Sequence, residues 1–410
     1  MYNTVFVVII GVLLFGYLLD RLLDYLNLKY TLPELPEELS GIFDPAEYRK
    51  SQLYKRDNTR FSFLTSSVSV VTIIVVFFLG GFGWLDERLS AITSSYVIHV
   101  LLFFGVLALV SDFLTIPFAL YDTFVIEERY GFNRTSMRTF IMDKVKGWIL
   151  GGLIGGGILA LITWIYLLTG QWFWIVALGA VTLFSVFLTM FYSNLIVPLF
   201  NKQTPLEEGT LRSKIEEFAH QADFRLDNIY VMDGSKRSSK SNAYFTGLGP
   251  KKRIVLFDTL IEDLEEAEIV AVLAHEIGHY KKKHSLKGLV ISTLQMALTF
   301  YLFSLFVGVD EFAVALGGEE ASFHLGLIAF GVLYSPISML LGIGTNLYSR
   351  YNEYEADTYA RNHYHADKLI SSLKKLSKNN LSNLTPHPVY VFFHYSHPPL
   401  LQRIRALKNT

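Results

Sequence analysis

Cysteine is absent from this chain of 410 residues. Its absence excludes disulfides, thiolate metal ligands and a cysteine nucleophile, so any metal site must be built from His, Asp and Glu. Charge is scarce as well, at 18% of residues with a formal net charge of -1. A near-neutral chain without a single basic face offers no bulk attraction to nucleic acid, and no nucleic-acid partner is expected. What the chain has in excess is apolar surface: 51% of its residues are hydrophobic and 15% aromatic. A lipid bilayer is the expected solvent for much of it.

Uncharged apolar runs long enough to cross a bilayer lie at Phe61 to Leu85, Gly147 to Leu168, Trp172 to Phe200, Leu289 to Val309 and Ala321 to Tyr348. Val5 to Leu19 is shorter, but it lacks the basic flank and small-residue cleavage site of a signal peptide and reads as a first span that stays attached. Ala91 to Tyr121 contains His99, Asp112 and Pro117, which makes it a kinked span facing a polar interior, or two shorter pieces. His99 and Asp112 should then face an internal chamber or each other. Lys and Arg collect after the first span, between the third and fourth, and throughout 201 to 287, while the alternate loops hold almost none. The positive-inside rule then gives seven spans with the N-terminus outside and the polar segment in the cytosol.

Four stretches follow: 1–200 with five spans, 201–288 as a cytosolic catalytic segment, 289–348 with two more spans, and 349–410 as a C-terminal cytosolic segment. Within the second, Asn228 to Met232 and Arg253 to Phe257 read as strands, with a turn at Gly247, Gly249 and Pro250. From Leu264 the pattern is helical as far as Gly278.

That helix contains His275-Glu276-Ile277-Gly278-His279. A spacing of four puts two imidazoles on one face with Cβ atoms about 5–6 Å apart, suited to two ligands of one Zn²⁺. Glu276 beside them can take a proton from a water polarised by the metal. Such a motif arises by chance in roughly one chain of this composition in 70, so solvated histidines on an amphipathic helix are the weaker reading. Glu353 and Asp357, four apart after the last span, share a helix face that Glu355 does not. Glu353 can close the metal site while Asp357 orients a ligand imidazole. The competing reading is an acidic face paired with Arg350 and Arg361. Lys281, Lys282, Lys283 and His284 form a basic stripe before the sixth span, read as a membrane anchor.

At this point the sequence resembles the type I CAAX prenyl proteases, integral-membrane zinc enzymes of the gluzincin kind, along nearly its whole length. The likeness is carried by Arg237-Ser238-Ser239, Ser241-Asn242-Ala243-Tyr244-Phe245, Lys252 to Leu260, the HExxH, and Glu353-x-x-Ala356-Asp357. Ser396-His397-Pro398-Pro399 and Glu127-Glu128 with Gly131-Phe132-Asn133 complete it. The resemblance implies a mainly α membrane protein with seven helices around a large chamber and a zincin-like α+β domain on the cytosolic side. It implies one Zn²⁺ per chain held by His275, His279 and Glu353, and a peptide or protein substrate cut after a prenylated cysteine in a C-terminal CAAX sequence. Asn242, Ala243 and Tyr244 match a substrate-binding edge, and His397 matches an oxyanion contact or else caps the turn before Pro398.

Two other functions compete: a membrane quality-control peptidase acting on non-prenylated polypeptides, and a transporter suggested by polar residues within spans. Short loops and the lack of cysteine favour a bacterial inner membrane over the endoplasmic reticulum.

Overall fold

The apolar runs become long helices. The computed structural model describes residues 2–30, 35, 37–39, 41, 44–224, 229–246 and 253–409. Among these, five helices are long and apolar enough to cross a membrane, or six if the pair Phe323–Leu333 and Ser335–His363, bent by 54°, is one span. One of the five is a 64-residue run, Met137–Phe200. At 1.5 Å per residue it would extend about 96 Å, some three times the hydrocarbon thickness. It instead turns at Gly170, whose φ of +53° suits glycine, and Gly156–Thr169 packs beside Phe173–Leu195. The expected seven spans therefore meet five or six continuous helical units, one of which contains a reversal.

Polar residues inside the helices are paired, and of the two expected arrangements Asp112 faces a cavity. Tyr96–Tyr121 is one helix that passes through Pro117 and ends in a π-turn at Asp122–Glu127. His99 and Asp112 do not face each other. His99 Nε2 meets Asp86 Oδ1 at 2.6 Å, whereas Asp112 accepts from Lys144 Nζ at 2.6 Å and Trp148 Nε1 at 2.8 Å. Asp112 and Lys144 line a cavity of about 1130 Å³ between Tyr96–Tyr121 and Met137–Thr169.

The polar segment forms a four-stranded sheet: β1 (Gln203–Pro205), β2 (Ile229–Met232), β3 (Ala243–Thr246) and β4 (Arg253–Phe257), in the order β1-β2-β4-β3. β2 and β4 are parallel, while the outer strands run antiparallel. Ile254, Val255 and Leu256 of β4 are buried on both faces, which is why this strand reads as an unbroken apolar run. Asn228 and the anticipated turn at Gly247, Gly249 and Pro250 lie outside the described residues. The helix expected from Leu264 runs over Glu266–Lys281, opened by a capping box of Glu265 and Glu268.

That helix carries His279 as expected and runs through Gly278, and the reason for a glycine there lies across the interface. A Cβ at Gly278 would stand 3.0 Å from Tyr359 Cβ and 3.1 Å from both Cα and O of Ala356. Gly278 and Ala356 are thus the contact point where Glu266–Lys281 crosses Ser335–His363. The hydrophobic core beneath joins Leu256, Ile269 and Leu273 to Ala360, Leu369 and Leu407, so the catalytic and C-terminal segments share one interior.

Residues of the motifs that carry the resemblance, with their neighbours, fasten this body to the membrane helices. Arg237 grips Asp143 through two bonds of 2.8 and 2.9 Å. Lys240 Nζ donates to Glu127 at 2.7 Å and to the Tyr54 hydroxyl at 2.9 Å, and Asn133 bridges to Ser238 through the backbone.

Gly278→Ala gains up to about 1 kcal/mol of helix propensity but forces the crossing apart, at about 1–3 kcal/mol for overpacking. Thermal melts in detergent should show a net loss of stability, accompanied by weaker zinc retention. A variant that melts higher with full zinc would contradict the close crossing.

Candidate active site

The crossing sets His275, Glu276 and His279 against Glu353 and Asp357. The buried residues of Ser335–His363 are Asn352, Glu353, Ala356, Asp357 and Ala360, the stripe that helical period anticipates. His275 Nε2 and His279 Nε2 are 3.1 Å apart. Glu353 places Oε1 3.2 Å from His279 Nε2 and Oε2 3.5 Å from His275 Nε2. Zinc bonds of 2.0–2.1 Å in a tetrahedron set ligand atoms about 3.3–3.4 Å apart, so the three groups are spaced to share one ion.

The far side of each imidazole determines which nitrogen is free. His275 Nδ1 donates to Asp357 Oδ1 at 2.9 Å, and Arg403 clamps the same carboxylate with bonds of 2.8 and 2.6 Å. His279 Nδ1 lies 2.9 Å from His284 Nδ1, whose Nε2 lies 3.2 Å from Glu355 Oε2. With each Nδ1–H engaged outward, both Nε2 lone pairs turn toward the Glu353 carboxylate. Glu353 Oε2 is buried without a hydrogen-bond partner, with Arg403 Nη1 3.4 Å away. Lone pairs and a carboxylate converging with no donor between them fit a divalent cation. Burial opposes a charge on His275, but hydrogen bonds to Asp357 and Glu353 outweigh it and raise the pKa to about 9, so in the metal-free chain a proton occupies the cation's place.

Several expectations change here. His284 is not part of a membrane anchor: it is buried and backs His279. Glu355 is no metal ligand, but it is not idle either, since it orients His284. Arg350 binds the carbonyls of Val391 and Tyr395, and Arg361 contacts Asn362, so neither neutralises an acidic face. Arg403 was not anticipated. Its cue is its spacing, since it shares the buried face of Leu400–Lys408 with Leu400, Ile404 and Leu407, an unusual position for an unpaired cation.

Asn242, Ala243, Glu276 and His397 line a cavity of about 390 Å³ together with His275, His279 and Glu353. Tyr244 is not brought to it. Alternation along β3 sends its side chain to the other face, where its hydroxyl meets Gln203 at 3.2 Å and Ser193 at 3.4 Å. His397 is exposed, with Nε2 3.3 Å from Glu353 Oε1. β3 pairs only with β4, and among the described residues no strand occupies its other edge.

The family model for the CAAX prenyl protease N-terminal region, five membrane helices, matches residues 24–202, and that for peptidase family M48 matches residues 205–410. The chain belongs to peptidase family M48. A rice protein named CAAX prenyl protease 1 homolog is 37% identical, the match covering 92% of this chain and 91% of that protein. The human homolog is 35% identical, covering 92% and 90%. The crystal structure of S. mikatae Ste24p superposes with a TM-score of 0.94 at 32% identity, covering all of both chains. This M48 peptidase is therefore a membrane metalloendopeptidase resembling CAAX prenyl proteases, and M48 enzymes are in general zinc-dependent.

Glu353→Ala should strip zinc and activity together, while Asp357→Ala and Arg403→Ala should each weaken zinc binding by about 10–100-fold, read by competition with a chromogenic chelator. Zinc retention by Glu353→Ala equal to the parent would remove it from the ligand set. Because His275 is protonated below about pH 9 in the metal-free state, its contribution to apo-protein stability is present below pH 6.5 and lost as pH rises through about 9. Zinc affinity runs the other way and rises over that window. Calorimetry at pH 7.5 in buffers of different ionisation enthalpy should detect release of about one proton per zinc bound.

Proposed function

We propose that this M48 peptidase removes the three residues following a prenylated cysteine at a substrate's C-terminus, with one catalytic zinc ion held by His275, His279 and Glu353. The observation that carries this reading is the open edge of β3, which leads into the cavity holding the ligand cluster, in a chain that matches named CAAX prenyl proteases over nine-tenths of its length. An extended peptide adds to β3 as a further strand, its main chain hydrogen-bonding near Asn242 and Ala243. Tyr244 contributes through its backbone alone. When bound, zinc supplies Lewis acidity to the attacking water and the scissile carbonyl. Glu276 accepts the water's proton and delivers it to the leaving amine. His397, at the open side of the cluster, donates a hydrogen bond to the developing oxyanion.

The distribution of Lys and Arg supports seven spans and a cytosolic catalytic body made of 201–288 and 349–410, interrupted by the two helices of 289–348. The relatives named above are eukaryotic and give no support to a bacterial inner membrane.

Glu276→Gln should keep its zinc yet lose nearly all hydrolysis, since no ligand is touched. Paired farnesylated and unmodified CAAX peptides, assayed with zinc content measured on the same sample, test the substrate. Cleavage of the farnesylated peptide alone is expected, and equal cleavage of both would assign the enzyme to general quality control.

A further inference from the structure

We propose that Asp86, His99 and His324 form a second divalent-cation site, suited to zinc, at the end of the helical assembly remote from the catalytic centre. The three residues come from three elements: Asp86 from Gly81–Ser90, His99 from the first turn of Tyr96–Tyr121, and His324 from the start of Phe323–Leu333. His99 Nε2 lies 2.6 Å and His324 Nε2 2.7 Å from the same oxygen, Asp86 Oδ1. Their ligand atoms all lie within 4.8 Å of one another. Two imidazoles and a carboxylate are the ligand types zinc takes, and in this chain the catalytic centre uses the same set.

Burial favours a cation here. His99 and His324 are 8% and 2% exposed, and the ring of Phe103 packs 4.6 Å from that of His324. Asp86 pairs with no Lys or Arg among the described residues. In the hydrogen-bonded arrangement two N–H groups crowd one oxygen, and His324 Nδ1 remains buried with no partner. Ligation of both rings through Nε2 relieves that crowding at the shared oxygen and adds binding energy that exists only in the folded chain. Opening the nitrogen–oxygen separations by about 0.7 Å reaches the spacing of zinc ligands, within the reach of small side-chain rotations. Ser322 Oγ, 3.3 Å from His324 Nε2, and the partly exposed side of Asp86 provide the fourth position.

The site is separate from the catalytic one. His99 begins the helical run that ends at Glu127, which meets Lys240 of the catalytic segment, and 28 residues of helix span about 40 Å. Its role is to clamp three helix ends where two turns already press together, with Gly83 N donating to Leu316 O at 3.0 Å.

The test uses the full-length protein in detergent, equilibrated in a zinc buffer and assayed by mass spectrometry for metal. The parent should hold two zinc ions per chain, and His275→Ala/His279→Ala, which silences the catalytic site, should hold one. Adding Asp86→Asn or His324→Gln to that variant should remove it, and cobalt loading of the double variant should give a visible ligand-field band that these changes abolish. Asp86→Asn alone, which preserves size and hydrogen-bond acceptance, should lower the parent from two zinc ions to one with its peptidase activity kept. A His275→Ala/His279→Ala chain that binds no zinc or cobalt overturns the proposal, as does an Asp86→Asn chain whose zinc content equals the parent's. Neither result depends on the identity of the peptide substrate.

Discussion

Everything at the catalytic centre depends on one contact, the crossing of Glu266–Lys281 and Ser335–His363 at Gly278 and Ala356. A metal site tolerates little error in distance, and His275, His279 and Glu353, carried on two helices, come together only because the backbones approach closely. Gly278 sits between the two histidines in sequence, so the approach is tightest where the ligand spacing is decided. A helix-weakening residue is kept in the middle of a buried helix because its missing side chain sets the separation.

Around that contact the polar residues form two outward chains, one from each imidazole. His275 leads to Asp357 and then to Arg403, and His279 leads to His284 and then to Glu355. Each chain fixes a ring orientation, so each Nε2 already points at Glu353, and at His275 a proton has only to leave for a metal to take its place. Buried charge is tolerable here because the partners are mutual: Arg403 faces Asp357 and Glu353 together, while Asp357 accepts from both Arg403 and His275.

The legible part of the sequence was the part governed by local period. A four-residue spacing on a helix identifies His275 with His279 and Glu353 with Asp357 whatever surrounds them, and the apolar runs announce helices. The strand β4 was readable because both its faces are buried. What escaped required knowledge of distant packing. His284 looked like one more member of a basic stripe, and only the left-handed backbone at Lys283, with φ of +58°, turns the chain so that His284 swings back toward His279. Arg403 lies 46 residues from Asp357, and no local rule links them. The pairing of His99 with Asp86 was missed for the same reason, since Asp86 sits on a short helix, Gly81–Ser90, whose first half the hydropathy reading had counted as the end of a span. Tyr244 was grouped with its neighbours because a motif has no sidedness, whereas a strand does.

The chain order of the cluster has a consequence for biosynthesis. His275 and His279 are synthesised well before Glu353, with the helix His284–Phe306 and the bent pair that carries Glu353 between them, and Arg403 comes later still. A nascent chain being threaded into its membrane therefore carries a histidine pair but no complete ligand set. The cluster is assembled only once the last helices are in place and the C-terminal segment has packed back onto the core.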